Sequence, residues 1–232
     1  GGDELFGGYN RYLFIQNFYK KINIYPIFLR KFLSRIMLSY TPSEWNKIFK
    51  NINIILPKNF SSLLPGQKLN KIGDILLSNS LSDVYQKLIS QWERPSFIIN
   101  KDLTNNTHLN HKHLSSLPGL QDTEQQMIWD SKSYLVDDIL TKVDRASMNN
   151  GLEVRVPFLD HKVFEIAWKI PIEMKISGNQ GKLILKEILY KYLPKDLVDH
   201  PKMGFGVPID DWLRGGLFDW ANDLLCENKI KK

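Results

Sequence analysis

Gly-Gly-Asp-Glu-Leu-Phe-Gly-Gly-Tyr (residues 1–9) is the stretch from which the fold is inferred. Two glycine pairs flank two carboxylates, so the backbone can approach a ligand closely and leave amides free to bind an oxyanion. Asp3 in such a segment is able to hold a Mg²⁺ ion that bridges phosphates. The same residues also fit an ordinary helix N-terminus, with Asp3 as the cap and Glu4 in the first turn. The motif alone does not choose between the two.

Bulk composition predicts a folded cytoplasmic protein. Of the 232 residues, 43% are hydrophobic and 12% aromatic, which is ample for a core. The net charge of +6 is spread along the chain among acidic residues, so no nucleic-acid partner is expected. Cys226 is the single cysteine, which excludes an internal disulfide and favours a reducing compartment. Since no run of apolar residues is long enough to cross a bilayer, no membrane partner is expected.

Helical periodicity dominates both halves of the chain, and strand candidates are scarce. Helices are predicted over residues 9–22, 26–40, 43–51, 68–79, 82–91, 122–134, 137–150, 160–168 and 182–193. Thr41-Pro42-Ser43-Glu44 has the pattern of a capping box, and the segment before Pro157 is predicted to be extended. The Asn-, His- and Ser-rich residues 100–118 are predicted to form a polar loop, since their histidines lack an established metal-ligand spacing.

Charged residues cluster between positions 137 and 160. Asp138, Lys142 and Arg145 follow one another at spacings of four and three, which places them on one face of a helix. Glu153 and Arg155 share one side of an extended, largely apolar segment. Because charges in apolar surroundings are costly unless paired, they are expected to pair with each other or with the preceding helix. The spacing fits a salt-bridged surface helix as well as it fits a catalytic site.

Two lysines lie at positions that suit nucleotide chemistry. Lys182 is predicted to lie in the first turn of its helix, and Lys202 heads the segment Lys-Met-Gly-Phe-Gly (202–206). The two glycines allow that segment to move, which suits a residue that closes over a nucleotide. Isolated lysines are usually only solvated, so these positions alone assign no role.

Five segments, in this order and spacing, resemble the C-terminal synthetase domain of glutamine-hydrolysing asparagine synthases. They are residues 1–9, 140–148 (Leu-Thr-Lys-Val-Asp-Arg-Ala-Ser-Met), 151–160 (Gly-Leu-Glu-Val-Arg-Val-Pro-Phe-Leu-Asp), 181–186 (Gly-Lys-Leu-Ile-Leu-Lys) and 202–209 (Lys-Met-Gly-Phe-Gly-Val-Pro-Ile). The resemblance implies an α/β synthetase domain of the ATP-pyrophosphatase (adenine nucleotide α-hydrolase-like) type, of which this fragment is the mostly α-helical part.

The resemblance also implies a ligase reaction that uses ATP and Mg²⁺. Aspartate and ATP form β-aspartyl-AMP, and ammonia released from glutamine by a separate N-terminal glutaminase domain then displaces AMP to give asparagine. The implied partners are therefore aspartate, ATP and glutamine-derived ammonia, and a homodimer is left open.

Individual residues match the family pattern. Asp3 matches the carboxylate that binds Mg²⁺ and pyrophosphate, and the amides around Gly1 and Gly2 contribute to that site. Lys182 matches a second lysine at the pyrophosphate, and Lys202 matches the active-site lysine that stabilises charge on the adenylated carboxylate and phosphates. Four further residues match a block that lines or supports the site, with individual roles left open: Asp144, Arg145, Glu153 and Arg155.

The family's Ser-Gly-Gly-x-Asp-Ser nucleotide loop and its glutaminase cysteine have no counterpart in the 232 residues. Residues 1–232 are therefore expected to be the C-terminal part of the synthetase domain, without the glutaminase domain and the nucleotide-loop half, and to be inactive alone. The alternatives are another amidotransferase or cyclase with the same adenylating domain, acting on a surface sugar, a β-lactam precursor or a lasso peptide, or a non-catalytic helical relic.

Overall fold

The computed structural model describes residues 1–22, 24–52, 66–90, 117–199 and 207–230. These residues form helices joined by turns, and the described part of the chain contains no strand beyond one antiparallel bridge between Ser177 and Gln180. The prediction of a mostly α-helical fragment is confirmed. The chain divides into two compact units, residues 1–188 and 189–232.

Twelve labelled helices belong to the first unit or run to its border. They are Gly2–Phe6 (α1), Asn10–Phe14 (α2), Lys20–Ile22 (α3), Ile27–Leu38 (α4), Pro42–Ile52 (α5), Gly66–Leu76 (α6), Leu81–Ile89 (α7), Asp122–Lys132 (α8), Thr141–Met148 (α9), His161–Lys169 (α10), Ile172–Lys175 (α11) and Leu183–Leu189 (α12). A π-helical segment, Ile15–Tyr19, joins α2 to α3, and a second one, Tyr134–Leu140, leads into α9. The second unit contains Lys195–Val198 (α13), Ile209–Arg214 (α14), Phe218–Leu224 (α15) and Glu227–Ile230 (α16).

Local capping chemistry sets several helix starts. The predicted capping box is present before α5, where the Thr41 amide donates to Glu44 Oε2 (2.7 Å) and the Glu44 amide donates to Thr41 Oγ1 (3.3 Å). Asp160 caps α10 by accepting a hydrogen bond from the Lys162 amide (2.9 Å). These contacts lie within three residues in sequence, which is why the sequence alone predicts them.

Several helix boundaries differ from the predictions. The helix predicted from Asp137 begins at Tyr134, because its first turns are π-helical and do not follow the 3.6-residue period. The helix predicted over 182–193 covers only Leu183–Leu189, so it ends four residues before the predicted boundary. Lys182 precedes this helix and does not lie in its first turn. The predicted loop over 100–118 falls almost wholly outside the described residues.

Buried apolar clusters hold α1 and α2 in the first unit. Leu5, Phe6 and Ala167 form one cluster, against which side chains from α10 and α12 pack. A second cluster joins α2, α8 and α11, and its buried members are Tyr12, Met127, Ile172 and Ile176. Complete burial of Leu5 contributes on the order of 2 kcal/mol. The start of the chain is therefore fixed between helices that are distant in sequence.

Candidate functional site

Residues 1–8 form a short helix closed by a glycine turn. Gly1 is the N-cap of α1, and Asp3 and Glu4 both lie in its first turn, so the interpretation of Asp3 as the cap is wrong. Gly7 ends the helix in the left-handed conformation, with φ 71° and ψ 41°. The Gly8 amide then donates to the Asp3 carbonyl oxygen (2.8 Å). Glycine at position 7 allows this turn, since a left-handed residue with a side chain is strained.

Asp3 and Lys182 meet across this turn. Lys182 Nζ lies 3.1 Å from Asp3 Oδ1, and both side chains are partly exposed. The Lys182 amide also donates to the Phe6 carbonyl oxygen (3.0 Å), so a backbone contact accompanies the ion pair. The structure therefore brings together the predicted metal ligand and one predicted pyrophosphate ligand.

The backbone of Lys182 is strained. Its φ is 59°, and it is the one non-glycine residue with positive φ in the described part of the chain. The left-handed conformation costs a residue with a side chain about 1–2 kcal/mol. Such strain persists only where the surroundings enforce it, and it concentrates at functional sites.

Gly8 and Gly181 have no side chains, which allows the turn at residues 7–8 to lie close to residues 181–182. A Cβ on Gly8 would overlap Asp3 Oδ1 and Lys182 Cε, and a Cβ on Gly181 would overlap the Gly7 carbonyl oxygen. The glycines therefore create the space in which the carboxylate and the ammonium group meet.

The segment 151–160 supports α1 through its apolar residues. A Cβ on Gly1 would lie 2.9 Å from Leu159 Cδ2 and 3.0 Å from Phe158 Cβ, and the Phe6 and Phe158 rings meet edge-on at 5.8 Å. Sequence reasoning did not assign a role to Phe158 or Leu159. The signal in the sequence that could have indicated their packing role is the presence of these apolar residues inside a charged motif.

Glu153 and Arg155 form an ion pair with each other, as expected. Their side chains are 67% and 88% exposed, so the expectation of apolar surroundings is wrong. Arg155 also lines a shallow surface groove of about 460 Å³, which is bordered by residues of the segment 154–160.

The residues of the 137–148 cluster lie on an exposed helix surface. Lys142 pairs with Asp138 at 2.9 Å, in agreement with the four-residue spacing. Asp144 and Arg145 are exposed on α9, and neither has an ion-pair partner within the described residues. The structure does not show them in contact with Asp3.

A buried polar network lies beside the site, and the sequence did not predict it. Asp130 on α8 is fully buried and accepts hydrogen bonds from Arg11 Nε (2.8 Å), Tyr85 (2.8 Å) and Tyr12. Burial raises the pKa of Asp130, although the hydrogen bond and charge of Arg11 oppose this. Arg11 and Asp130 are 119 positions apart, so no local spacing signals their contact.

Glu4 and Tyr9 link this network to α1. Glu4 is 1% exposed and accepts a hydrogen bond from the Tyr9 hydroxyl (2.6 Å). The Arg11 guanidinium lies 3.8 Å from the centroid of the Tyr9 ring. Burial and the hydrogen bond to Glu4 raise the pKa of Tyr9, so its phenol stays protonated and donates.

Asp3 fits a magnesium ion that is shared with phosphates. Within the described residues no group of three or more His, Cys, Asp or Glu side chains could hold a metal ion. Mg²⁺ is commonly bound by one or two carboxylates together with substrate phosphates, so a single partly exposed carboxylate is suitable.

No helix in the described ranges is long and apolar enough to cross a membrane. The predicted active-site residue Lys202 lies outside the described residues.

Comparison with known proteins assigns the family. The family model described as asparagine synthase matches residues 1–232. The chain is 28% identical over 236 residues to asparagine synthetase [glutamine-hydrolyzing] 1 of Bacillus subtilis (99% of this chain, 33% of the relative). It is 30% identical over 229 residues to a putative asparagine synthetase [glutamine-hydrolyzing] of Mycobacterium bovis (95% of this chain, 31% of the relative).

The chain thus spans about a third of the length of the curated relatives it matches. No solved structure matches it significantly. Because the family model covers all 232 residues, the chain belongs to the asparagine synthase family, whose synthetase domain has an ATP-pyrophosphatase-like fold.

Proposed function

We propose that this chain is the C-terminal part of the synthetase domain of a glutamine-hydrolysing asparagine synthase. We further propose that it binds the pyrophosphate group of ATP. The observation that carries the proposal is the Asp3–Lys182 pair at 3.1 Å. The pair joins two family segments that are far apart in sequence, residues 1–9 and 181–186. Lys182 has a positive φ, and Gly8 lacks a side chain that would overlap the pair.

The proposed reaction has two steps. A carboxylate oxygen of aspartate attacks the α-phosphorus of ATP, which forms β-aspartyl-AMP and releases pyrophosphate. Ammonia derived from glutamine then attacks the activated carbonyl carbon, AMP leaves with the bonding electrons, and asparagine forms. Negative charge builds up on the phosphate oxygens in the first step, so fixed cations placed there accelerate it.

Residues of this chain supply part of that stabilisation. Lys182 donates to the departing pyrophosphate, and the amides around Gly1 and Gly2 donate to its oxygens. Asp3 would hold Mg²⁺, which adds positive charge at the phosphates. Lys202 stabilises the charge that develops on the adenylated carboxylate.

The exposed charged residues of α9 and the segment 151–160 are assigned a supporting role in the proposal. Asp144 and Arg145 on α9, together with the Glu153–Arg155 pair, are proposed to support substrate binding. The groove beside Arg155 is open enough to admit a small polar substrate. The single cysteine fits a cytoplasmic enzyme.

The complete protein encoded by the gene tests this function directly. We expect aspartate-dependent release of AMP and pyrophosphate, with asparagine formed from glutamine or ammonia and measured by chromatography. Lys202→Ala is expected to abolish AMP formation without changing the circular dichroism spectrum. AMP release that requires a different carboxylate and not aspartate would overturn the assignment of the acceptor.

Gly8→Ala tests the pair itself. The added Cβ would overlap only the flexible ends of Asp3 and Lys182, so the fold is retained while the two side chains are displaced. We expect at least a tenfold fall in ATP–pyrophosphate exchange. Gly216→Ala is the matched control, because a Cβ there meets nothing within 4 Å. Equal exchange rates for the two variants would remove the pair from the mechanism.

A further inference from the structure

We propose that Tyr9 is a positioning residue that aims Asp3 at the pyrophosphate site, and that Arg11 and Asp130 hold Tyr9 in place. This inference rests on the proposed function of the Asp3–Lys182 pair. It assigns roles to three residues outside the reacting groups.

Glu4 fixes the rotation of α1 about its own axis. Neighbouring residues on a helix point about 100° apart, so the direction of one side chain determines that of the next. Glu4 is 1% exposed and points into the protein, whereas Asp3 is 27% exposed. Holding Glu4 inward therefore holds Asp3 at the surface, where Lys182 and a ligand can reach it.

The Tyr9 hydroxyl is what holds Glu4. It donates to Glu4 Oε1 at 2.6 Å. The Tyr9 contact spans the Gly7–Gly8 turn, which the Gly8 amide also closes through the Asp3 carbonyl oxygen. Because glycines alone leave a turn mobile, the side-chain contact supplies the rigidity that the backbone lacks.

The Tyr9 ring is in turn held on several sides. The Arg11 guanidinium lies 3.8 Å from its centroid, and the Tyr12 and Tyr134 rings meet it edge-on at 5.6 Å each. Cation–π and edge-to-face contacts both favour one orientation of the ring. These contacts therefore favour the ring orientation in which the phenol oxygen reaches Glu4.

Asp130 anchors Arg11 in the protein interior. The Arg11 Nε donates to Asp130 Oδ2 at 2.8 Å, and Tyr12 and Tyr85 donate to the same carboxylate. These donors come from α2 and α7, while Asp130 lies on α8. The chain of contacts from Asp3 to the core thus crosses three helices.

The same cluster reaches the π-helical segment that precedes residues 140–148. The Tyr134 ring lies 4.7 Å from the Arg11 guanidinium, and Tyr134 begins the π-helical segment Tyr134–Leu140. Within that segment, Asp138 pairs with Lys142 at 2.9 Å. π-Helical segments recur at functional sites. Arg11 and Tyr9 therefore join residues 1–9 to the π-helical segment that leads into residues 140–148.

Affinity for Mg²⁺–pyrophosphate, measured by titration calorimetry on the complete protein, tests the inference. Tyr9→Phe removes the hydroxyl and keeps the ring, so Glu4 loses its donor while the packing stays. We expect the Kd for Mg²⁺–pyrophosphate and the Mg²⁺ half-saturation of ATP–pyrophosphate exchange to rise about tenfold. The KM for aspartate is expected to stay unchanged, because only the pyrophosphate end of the site moves.

Two matched tyrosine variants separate positioning from stability. Tyr12→Phe removes a hydroxyl from the same Asp130 network without touching Glu4, so it should lower the melting temperature and leave the Kd unchanged. Tyr190→Phe removes an exposed hydrogen bond to Asp199 (2.8 Å) and should change neither. An equal loss of affinity in Tyr9→Phe and Tyr12→Phe would reduce Tyr9 to a structural residue and overturn the inference.

Arg11→Lys gives a second route to the same answer if Tyr9→Phe does not fold. The lysine keeps the charge opposite Asp130 but loses the planar group that stacks on Tyr9. We expect the Kd for Mg²⁺–pyrophosphate to rise several-fold, and an unchanged Kd would overturn the inference. An unmodified protein that binds Mg²⁺–pyrophosphate but makes no asparagine would overturn only the proposed reaction. An unmodified protein that does not bind it would overturn both.

Discussion

At the scale of single residues, the strained lysine is the most informative feature of the site. Lys182 adopts φ 59° although it is not a glycine, and its Nζ lies 3.1 Å from the Asp3 carboxylate. Both side chains are partly exposed, and ion pairs of this kind contribute about 0–1 kcal/mol. The ion pair therefore does not offset the backbone strain of about 1–2 kcal/mol. Binding of a phosphate-bearing ligand would explain why the residue is a lysine.

Lys182→Gly separates stability from activity at this position. Glycine relieves the positive φ and loses the ammonium group, so we expect an equal or higher melting temperature and at least a tenfold lower exchange rate. Differential scanning calorimetry and ATP–pyrophosphate exchange on the complete protein measure the two quantities. Lys169→Met, which removes an exposed lysine from the end of α10, is the control and should change neither. A destabilised but fully active glycine variant would contradict this account.

At the scale of helices, buried polar groups fix how α2, α7 and α8 meet. Asp130 is fully buried and Arg11 is 15% exposed, and both lie among tyrosines, where an unpaired charge is costly. The network accordingly specifies which faces of the helices are in contact. It adds directional hydrogen bonds that the apolar clusters beside it cannot provide.

Asp130→Ala tests the importance of this network for folding. Arg11 would lose its buried partner, so we expect the free energy of unfolding to fall by about 3–5 kcal/mol. Urea denaturation followed by tyrosine and tryptophan fluorescence measures it. Asp223→Ala breaks the exposed pair with Lys229 and should cost less than about 1 kcal/mol. Similar losses in the free energy of unfolding for the two variants would show that the buried pair contributes no more to stability than the exposed pair.

A buried lysine gives α11 a measurable pH dependence. Lys175 is 1% exposed, and its Nζ lies 5.0 Å from the centroid of the Trp168 ring. Burial lowers the pKa of Lys175, and the charge of Glu124 partly opposes this. The folded protein therefore binds this proton less tightly than the unfolded chain does. Its destabilising effect is largest below the folded pKa and disappears as the pH rises towards the ordinary lysine value.

Lys175→Met keeps the volume of the side chain and removes the charge. We expect the variant to be more stable than the unmodified protein at pH 7 by about 1 kcal/mol, because the buried charge is gone. The difference between the two proteins should shrink as the pH is raised from 7 to 10, as measured by urea denaturation at each pH. A difference that stays constant over this range would contradict a lowered lysine pKa.

At the scale of the whole chain, exposed apolar side chains are abundant in the second unit. Large apolar residues of α14–α16 and their connections are 38–69% exposed: Val207, Ile209, Trp212, Leu213, Leu217, Phe218, Trp220, Leu224, Leu225 and Ile230. Exposed apolar surface of this extent promotes association. We therefore expect the 232-residue chain to aggregate when it is produced alone.

Trp212→Lys combined with Trp220→Lys should raise the concentration at which the chain stays monodisperse. Both indole rings are about half exposed, so the substitutions remove apolar surface without opening a cavity. Size-exclusion chromatography with light scattering measures the effect. As a control, lysine at the exposed polar positions Asn222 and Asn228 adds the same charge without removing apolar area. An equal gain in the control would attribute solubility to charge alone.

The sequence by itself determined the family and most of the helices. Capping at Thr41 and Asp160 depends on residues within three positions, and helical periodicity depends on neighbours within one or two turns. Interactions between residues this close in sequence can be predicted from the sequence alone. The five family segments likewise predicted that Asp3 and Lys182 lie close together, and the two side chains are in contact.

Only the tertiary structure decided how these residues meet. The Asp3–Lys182 contact, the Arg11–Asp130 pair and the strain at Lys182 depend on the packing of helices distant in sequence. The exposure of Glu153 and Arg155 also depends on what packs around them, which is why their apolar surroundings were predicted wrongly. The roles of all the predicted site residues remain predictions. Local spacing determines which side chains share a helix face, and long-range packing determines what that face contacts.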